Sequence, residues 1–183
     1  MSRRVLLGLM LVLVAGCGVQ VTEEPELLPS SVVPGWTPSA PPTGDPARPS
    51  PVYFARNDRL VAVERGLSGN APVANAVAAV VSGPTDRETQ AGLRTALPAD
   101  LSPEVTTSDD TTVISLRPGA LDVPAGEQVV AVAQLVWTAT APPGAAPRVE
   151  LRVGEKTLPV PVDGGRLENR PVTRADYRSV APR

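Results

Sequence analysis

The sequence predicts an α+β domain with the element order β-β-α-β-β-α-β-β, in which two helices pack on one face of a largely antiparallel sheet. Three observations support this prediction. Short runs rich in valine and other β-formers occur in pairs, two longer apolar runs have the spacing of a helix, and glycine or proline separates the runs. We expect the ordered domain to cover residues 51–183.

The first two strands are predicted at VYFAR (52–56) and LVAVER (60–65). Asn57, Asp58 and Arg59 separate these runs, and Asn and Asp tolerate the backbone conformations of tight turns. The pair is therefore expected to form a β-hairpin.

The first helix is predicted over 72–81, where proline suits the first turn. Its valines recur at i, i+4, i+7 and i+8 and so share one helical face: Val73, Val77, Val80 and Val81. Ser82-Gly83-Pro84 should end the helix, with the glycine at its C-terminal cap. Thr85 is expected to cap a short turn that follows.

An irregular stretch, GLRTALP (92–98), precedes two further strand candidates at about 103–107 and 112–117. The next run, 126–140, carries valine, alanine and tryptophan at helical spacing on adjoining faces, which predicts a widely buried helix. Its β-branched content also permits a strand, but the length of the run favours a helix.

The last strand pair is predicted at RVELRV (148–153) and TLPVPV (157–162), as a hairpin that turns at Gly154 and Glu155. The two β-β-α units hint at duplicated halves, although the residues themselves do not repeat.

The composition excludes several chemistries. The chain has 17 Lys+Arg and 19 Asp+Glu, a net charge of −2, and this balance gives no reason to expect nucleic-acid binding. It has no histidine and one cysteine. Mechanisms of the Ser-His-Asp and Cys-His types are therefore excluded within the chain, and so are zinc sites built from His and Cys.

The single cysteine, Cys17, lies at the end of a targeting segment. Arg3 and Arg4 precede an apolar run of about ten residues, too short to span a bilayer, and small residues follow it. Val14-Ala15-Gly16-Cys17 resembles the bacterial lipobox, whose cysteine carries a diacylglyceryl group after residues 1–16 are removed. We expect Cys17 to anchor the protein in the membrane lipid with the rest of the chain outside the cytoplasm; the alternative is an ordinary secretory signal with an incidental cysteine.

Residues 17–50 predict a tether between the anchor and the domain. Prolines recur throughout it and should exclude helix and sheet up to residue 51: Pro25, Pro29, Pro34, Pro38, Pro41, Pro42, Pro46, Pro49 and Pro51. Such a spacer would lift the domain off the membrane surface. Trp36 and Leu27-Leu28 are interpreted as stray apolar residues, with a short linear binding motif as the alternative.

Five stretches of the chain carry a more specific signal: VYFARNDRLVAVER, AVVSGPTDRETQAGLRTALP, VISLRPG, AVAQLVWTAT and TRADY. Together they resemble the GerMN domain of sporulation and spore-germination lipoproteins, over about residues 51–178. The same module is found near the N-terminus of LpqB-type lipoproteins, which accompany a two-component sensor kinase. The resemblance implies a non-catalytic extracytoplasmic module without a cofactor, linked to the cell envelope or sporulation. It also implies an envelope protein as partner, such as a sensor-kinase ectodomain, and it carries over no catalytic residue.

The residues offer few candidates for a site. Arg94 and Thr95 are the speculative binding residues, on a groove along the sheet, although an arginine that packs its stem is the simpler interpretation. Asp109-Asp110 is interpreted as a turn rather than an acid–base pair, and Ser68 as a loop residue. Carboxylate-only hydrolysis stays formally open, but no paired spacing points to it.

Two functions follow from these observations. The first is a membrane-anchored module that binds or scaffolds another protein, with no catalysis of its own. The second is a carrier of a small molecule or glycan, held in a pocket between the sheet and the helices. A deep apolar cavity lined from 129–137 would favour the carrier, whereas a closed core with an exposed apolar patch would favour protein contact.

Overall fold

The structure, a computed structural model, describes residues 47–183. Cys17 and most of the predicted tether lie outside the described residues. The elements follow one another as β1 Arg48–Arg56, β2 Arg59–Leu67, α1 Pro72–Val81, α2 Asp86–Gln90, β3 Glu104–Thr107, β4 Thr111–Leu116, α3 Ala125–Ala139, β5 Arg148–Val153, β6 Lys156–Thr157, β7 Val160–Pro161 and β8 Leu167–Glu168. Two 3₁₀ segments, Asp163–Gly165 and Arg174–Val180, flank β8. The α+β class is confirmed.

The first hairpin forms as predicted. β1 and β2 are antiparallel in register from Arg48↔Leu67 to Arg56↔Arg59. Asn57 and Asp58 connect them with φ values of 50° and 58°, which are the left-handed conformations of a two-residue type I′ turn.

β1 begins at Arg48, earlier than residue 51, so the expectation that proline excludes sheet up to Pro51 is wrong at this point. The reason lies in the alternation of the backbone. The N–H groups of Tyr53 and Ala55 point away from β2, since they donate to Thr138 Oγ1 and to the carbonyl of Arg94. Pro49 and Pro51 occupy alternate positions along β1 in step with Tyr53 and Ala55, so a backbone N–H there would also point away from β2. The N–H groups that proline lacks are therefore not needed for pairing with β2.

The two long helices form where the valine spacing predicts them. α1 packs against α3, and both contact β1. The buried core between helices and strands includes Phe54, Val77, Ile114, Leu135 and Leu151. This core belongs to one compact unit, Pro42–Arg183, and a unit with its own hydrophobic core is expected to fold alone.

The central sheet has the order β3-β4-β5-β6. Its β4–β5 pair is parallel, from Thr111↔Arg148 to Leu116↔Val153, whereas all other pairs within the described strands are antiparallel. Parallel neighbours need a long crossover connection, and α3 provides it. The sheet is thus mixed, a detail that the predicted order β-α-β did not specify.

The last hairpin departs from its prediction. It turns at Gly154 and Glu155 as expected, but β6 pairs with β5 over only two residue pairs. Leu158 N–H still donates to the carbonyl of Leu151 at 2.8 Å, but Val160 and Pro161 pair with β8 instead of β5. Val172 from the C-terminal segment bonds to Val149 of β5 instead, with both N–H···O distances at 2.8 Å.

The end of α1 and the start of α2 confirm the predicted caps. Gly83 has φ +82° directly after the C-cap residue of α1. Thr85 then forms a capping box with Glu88: Glu88 N–H donates to Thr85 Oγ1 at 3.4 Å, and Thr85 N–H donates to Glu88 Oε2 at 2.8 Å.

Candidate functional site

An apolar cleft opens beside the N-terminal half of α3. Its volume is about 260 Å³, and we call it the α3 cleft. α3 contributes Ala131 and Val132, and β4, β5 and the segments that follow them contribute the other walls. The larger apolar side chains that line it include Leu116, Leu121, Val132, Val153, Leu158 and Leu167.

Leu167 marks the rim of the α3 cleft. Its side chain is 68% exposed, and within residues 47–183 it is the large hydrophobic residue that lies on the surface. β8 holds it there through pairing with Pro161 of β7. A single exposed leucine is common on protein surfaces, and Leu167 is of interest because it continues the apolar lining of the α3 cleft to the outside of the domain.

Two polar side chains around the α3 cleft, Arg117 and Gln128, are already engaged. Arg117 Nη2 donates to the carbonyl of Asp100 at 2.9 Å and to its carboxylate at 3.2 Å. Gln128 Nε2 donates to the carbonyl of Val123 at 3.2 Å. Asp122, an exposed carboxylate with no ion-pair partner among the described residues, lies at the edge of the cleft, and the rest of the lining presents mainly aliphatic carbon to an occupant.

Arg94 holds three elements together. Its backbone pairs with Ala55 of β1, and its guanidinium donates to Glu127 Oε2 of α3 at 2.6 Å and to Asp58 Oδ1 at 3.1 Å. The hydrogen bond with Glu127 raises the pKa of Arg94 above its ordinary value. These contacts give Arg94 a structural role between the hairpin turn and α3.

Thr95 lies beside Arg94 on a shallow groove of about 350 Å³. Its hydroxyl accepts the N–H of Leu97 at 3.1 Å, a local turn contact. Binding of a ligand by Arg94 and Thr95 stays a prediction, and both side chains already have partners within the described domain.

The remaining candidates take the structural roles expected of them. Asp109 and Asp110 lie in the bend between β3 and β4, and Asp110 forms an ion pair with Arg148. Ser68 lies in a loop, where its carbonyl accepts Asn75 Nδ2 at 2.7 Å. No group of three or more Cys, Asp or Glu in residues 47–183 is placed to hold a metal ion.

The aromatic side chains form a packed cluster. Tyr53 and Trp137 have ring centroids 5.4 Å apart, and the guanidinium of Arg174 covers the Trp137 ring at 4.7 Å. Tyr177 is fully buried, and its burial raises the pKa of its hydroxyl. These rings therefore contribute to the packing of the core.

Sequence reasoning missed Leu167 and the α3 cleft. Leu167 stands alone in the polar run GGRLENR, so no periodicity reports it. None of the helices within 47–183 has the length and apolar character of a membrane span.

The hairpin, the crossover through α3 and the bridge at Arg94 together form an α+β domain. A family model described as sporulation and spore germination, Germane, matches residues 51–159. The chain therefore belongs to this family, whose GerMN domain is a non-catalytic module, and the resemblance seen in the sequence is confirmed.

Solved structures agree with this fold. The first GerMN domain of the sporulation protein GerM from Bacillus subtilis matches with a TM-score of 0.58 at 21% identity, over 70% of this chain and 99% of that one. The tandem GerMN domains of the same protein match with a TM-score of 0.58 at 19% identity, over 70% of this chain and 47% of the tandem. No curated protein matches this chain.

Proposed function

We propose that this chain is a lipid-anchored, extracytoplasmic scaffolding module that binds an envelope protein through the α3 cleft and has no catalysis of its own. The process it serves is one of the cell envelope, of signalling or of sporulation. The observation that carries the proposal is the exposed Leu167 at the rim of the cleft.

The size and lining of the cleft support a protein partner. Its volume of about 260 Å³ is below the range of about 300–1,000 Å³ that is usual for small-molecule sites. Such a space accepts one large apolar side chain from a partner surface. We therefore favour a protein partner that presents a hydrophobic side chain, and a sensor-kinase ectodomain is one such candidate.

The second candidate is a carrier of a small apolar molecule or glycan. The concave shape and aliphatic lining of the α3 cleft support it. However, α3 reaches the cleft only through Gln128, Ala131 and Val132, while Leu135 and Val136 are fully buried in the core. The core is closed along the C-terminal half of α3, which favours protein contact over carriage.

The test is site-specific photo-cross-linking in intact cells, with the reactive amino acid at position 167. Position 87 on α2, which is also exposed to solvent, is the matched control. A defined envelope protein captured at 167 but not at 87 is then purified, and its affinity for wild type, Leu167→Met and Leu167→Asp is measured. We expect Leu167→Met to bind like wild type and Leu167→Asp to lose at least tenfold in affinity.

Equal capture at positions 167 and 87, or an affinity of Leu167→Asp equal to that of wild type, would contradict protein binding at the α3 cleft. Mass spectrometry of the natively purified protein then tests the carrier. A bound apolar molecule that Leu167→Asp releases would establish that second function.

The anchor is tested separately. Labelling with a radioactive fatty acid should mark wild type and not Cys17→Ala, and the variant should leave the membrane fraction. A Cys17→Ala protein that stays lipid-labelled would contradict lipid attachment at Cys17. It would not bear on the proposal that the α3 cleft binds a partner.

A further inference from the structure

The outer edge of β2 is an open strand edge. Within residues 47–183, β2 pairs with β1 and with no other strand. Ala55 directs its backbone groups to Arg94 and Tyr53 directs its N–H to Thr138, so both point away from β2. Their partners across the hairpin, Leu60 and Ala62, therefore point outward on the other side.

Glu64 and Gly66 continue this outward alternation along β2. None of these four residues has a backbone hydrogen bond on its outer side from another described residue. A regular strand of nine residues thus presents a row of unused N–H and C=O groups, the arrangement to which an added strand pairs.

A groove lies against the first half of this edge. It has a volume of about 540 Å³ and is walled by Arg59–Ala62 on one side and by Pro182 and Arg183 on the other. Arg59 Nη1 donates to the carbonyl of Ala181 at 3.4 Å, which holds the C-terminal segment beside β2. The groove has room for an extended chain next to the strand.

The groove is basic. Arg56 and Arg59 lie directly opposite each other across the hairpin, and like charges in that position destabilise a sheet. Neither has a carboxylate within 4 Å among the described residues, whereas Arg65, Arg94 and Arg148 do. Arg183 adds a third positive side chain at the far wall.

We propose that this surface binds an extended acidic peptide segment of a protein partner, which adds to β2 as a further strand. The peptide backbone pairs with the outer edge from Leu60 to Gly66, and its alternate acidic side chains lie against Arg56, Arg59 and Arg183. Glu64 is an exposed carboxylate further along the strand. The acidic residues of the peptide are therefore confined to the part that lies near the hairpin turn.

A peptide fits these observations better than an anionic membrane surface. Lipid headgroups would satisfy the arginines, but they would leave the regularly spaced N–H and C=O groups of β2 unused. The groove also shares no lining residue with the α3 cleft. The proposal therefore stands whether or not the α3 cleft binds a partner.

The test uses the chain from Pro42 to Arg183 and a fluorescein-labelled peptide, Glu-Val-Glu-Val-Thr-Val-Thr, in a fluorescence anisotropy titration. A peptide with lysine in place of glutamate tests charge. Two N-methylated versions, each blocking one alternate set of N–H groups, test strand addition without altering the protein. We expect one of the two N-methylated peptides to lose binding and the other to bind like the unmodified peptide, because only one alternate set of peptide N–H groups faces β2.

Variants of the protein complete the test. Arg56→Glu and Arg59→Glu should each weaken binding on the order of tenfold, while the matched charge change Arg87→Glu on α2 should not. Arg56→Glu should also raise the melting temperature slightly, because it places opposite charges across the hairpin.

Equal binding of both methylated peptides, or of the lysine peptide, would overturn strand addition by an acidic segment. So would phosphatidylglycerol vesicles that bind the protein and displace the peptide completely, since the arginines would then serve a lipid surface. Loss of the cleft partner in Leu167→Asp with peptide binding intact would separate this site from the proposed function.

Discussion

The β1–β2 hairpin and the C-terminal segment 156–180 both pack against α3, but they are attached in different ways. The hairpin is a nine-pair backbone ladder, which Gln134 and Thr138 of α3 join through the backbone of Tyr53. The C-terminal segment contains strands of only two residues. It depends on individual side chains, chiefly Tyr177 in the core and Arg174 on α3.

This difference teaches how each region responds to substitution. A ladder distributes its stability over many weak bonds, so a single surface change matters little. A segment held by a few side chains loses much of its attachment when one of them is removed. We therefore expect the largest single effects in the C-terminal segment.

Tyr177→Ala should have the largest effect. The side chain is fully buried, and removal of a large buried aromatic typically costs about 3–5 kcal/mol. Urea unfolding followed by circular dichroism measures this loss in the free energy of unfolding.

Tyr177→Phe is the matched control for that substitution. The Tyr177 hydroxyl has no hydrogen-bond partner among the described residues, so phenylalanine should change the free energy of unfolding by less than about 1 kcal/mol. A cost for phenylalanine equal to that for alanine would mean that the hydroxyl, and not the ring, holds the segment.

Gln134→Leu should have the next largest effect, and it concerns the hairpin. Gln134 Oε1 accepts the N–H of Ala96 at 2.7 Å, and its Nε2 donates to the carbonyl of Tyr53 at 3.0 Å. Leucine leaves the buried carbonyl of Tyr53 and the partly buried N–H of Ala96 unpaired, at about 2–3 kcal/mol. Gln128→Leu, at the partly exposed start of α3, is the control, and an equal loss there would argue against this account.

Arg174→Lys should cost less, about 1–2 kcal/mol. The guanidinium covers Trp137, and it donates to Thr140 Oγ1 at 2.7 Å and to the carbonyl of Trp137 at 3.0 Å. Lysine cannot reproduce this planar set of contacts. Tryptophan fluorescence should change with the stability, whereas the exposed Arg178→Lys should leave both unchanged.

The smallest effect is a dependence on acid pH that both regions share. The hydrogen bond with Arg65 lowers the pKa of Glu88 beside the hairpin, and the hydrogen bond with Arg170 lowers the pKa of Asp176 in the C-terminal segment. These lowered values stabilise the folded state above the unfolded pKa values, and this stability is lost as pH falls through the folded ones.

The free energy of unfolding should therefore be level above about pH 5 and decrease below pH 4.5. Glu88→Gln and Asp176→Asn should each remove part of that slope. Urea titrations between pH 2.5 and 7 measure it, and a decrease that begins near pH 6 would contradict these assignments.

The hairpin and both long helices could be predicted from the sequence because their signals are local. Asn57 and Asp58 lie between two alternating runs, and the valines of α1 recur on one face. The caps at Gly83 and Thr85 depend on neighbours within four residues, and they too were predictable. The length of β1 was not predictable in this way. Proline is compatible with a strand only where its missing N–H would point away from the partner strand, and that direction is known only once the pairing with β2 is known.

The candidate sites could be predicted far less well. Arg94 stood out in the sequence because of its motif, yet its partners Asp58 and Glu127 come from distant parts of the chain. The α3 cleft requires α3, β5 and β8 to meet, and the β2 edge is open only because no later strand pairs with it. Neither the cleft nor the open edge produces a periodic pattern in the sequence.

The sequence by itself determined the local elements, the exclusion of histidine chemistry and the family, because short-range spacing and composition carry that information. Only the tertiary structure decided that β4 and β5 are parallel, that Val172 completes the edge of β5, and that Leu167 is left exposed on the rim of a cleft. The physical reason is that these features depend on which distant backbone groups and apolar surfaces meet, and each is settled by the packing of the whole domain.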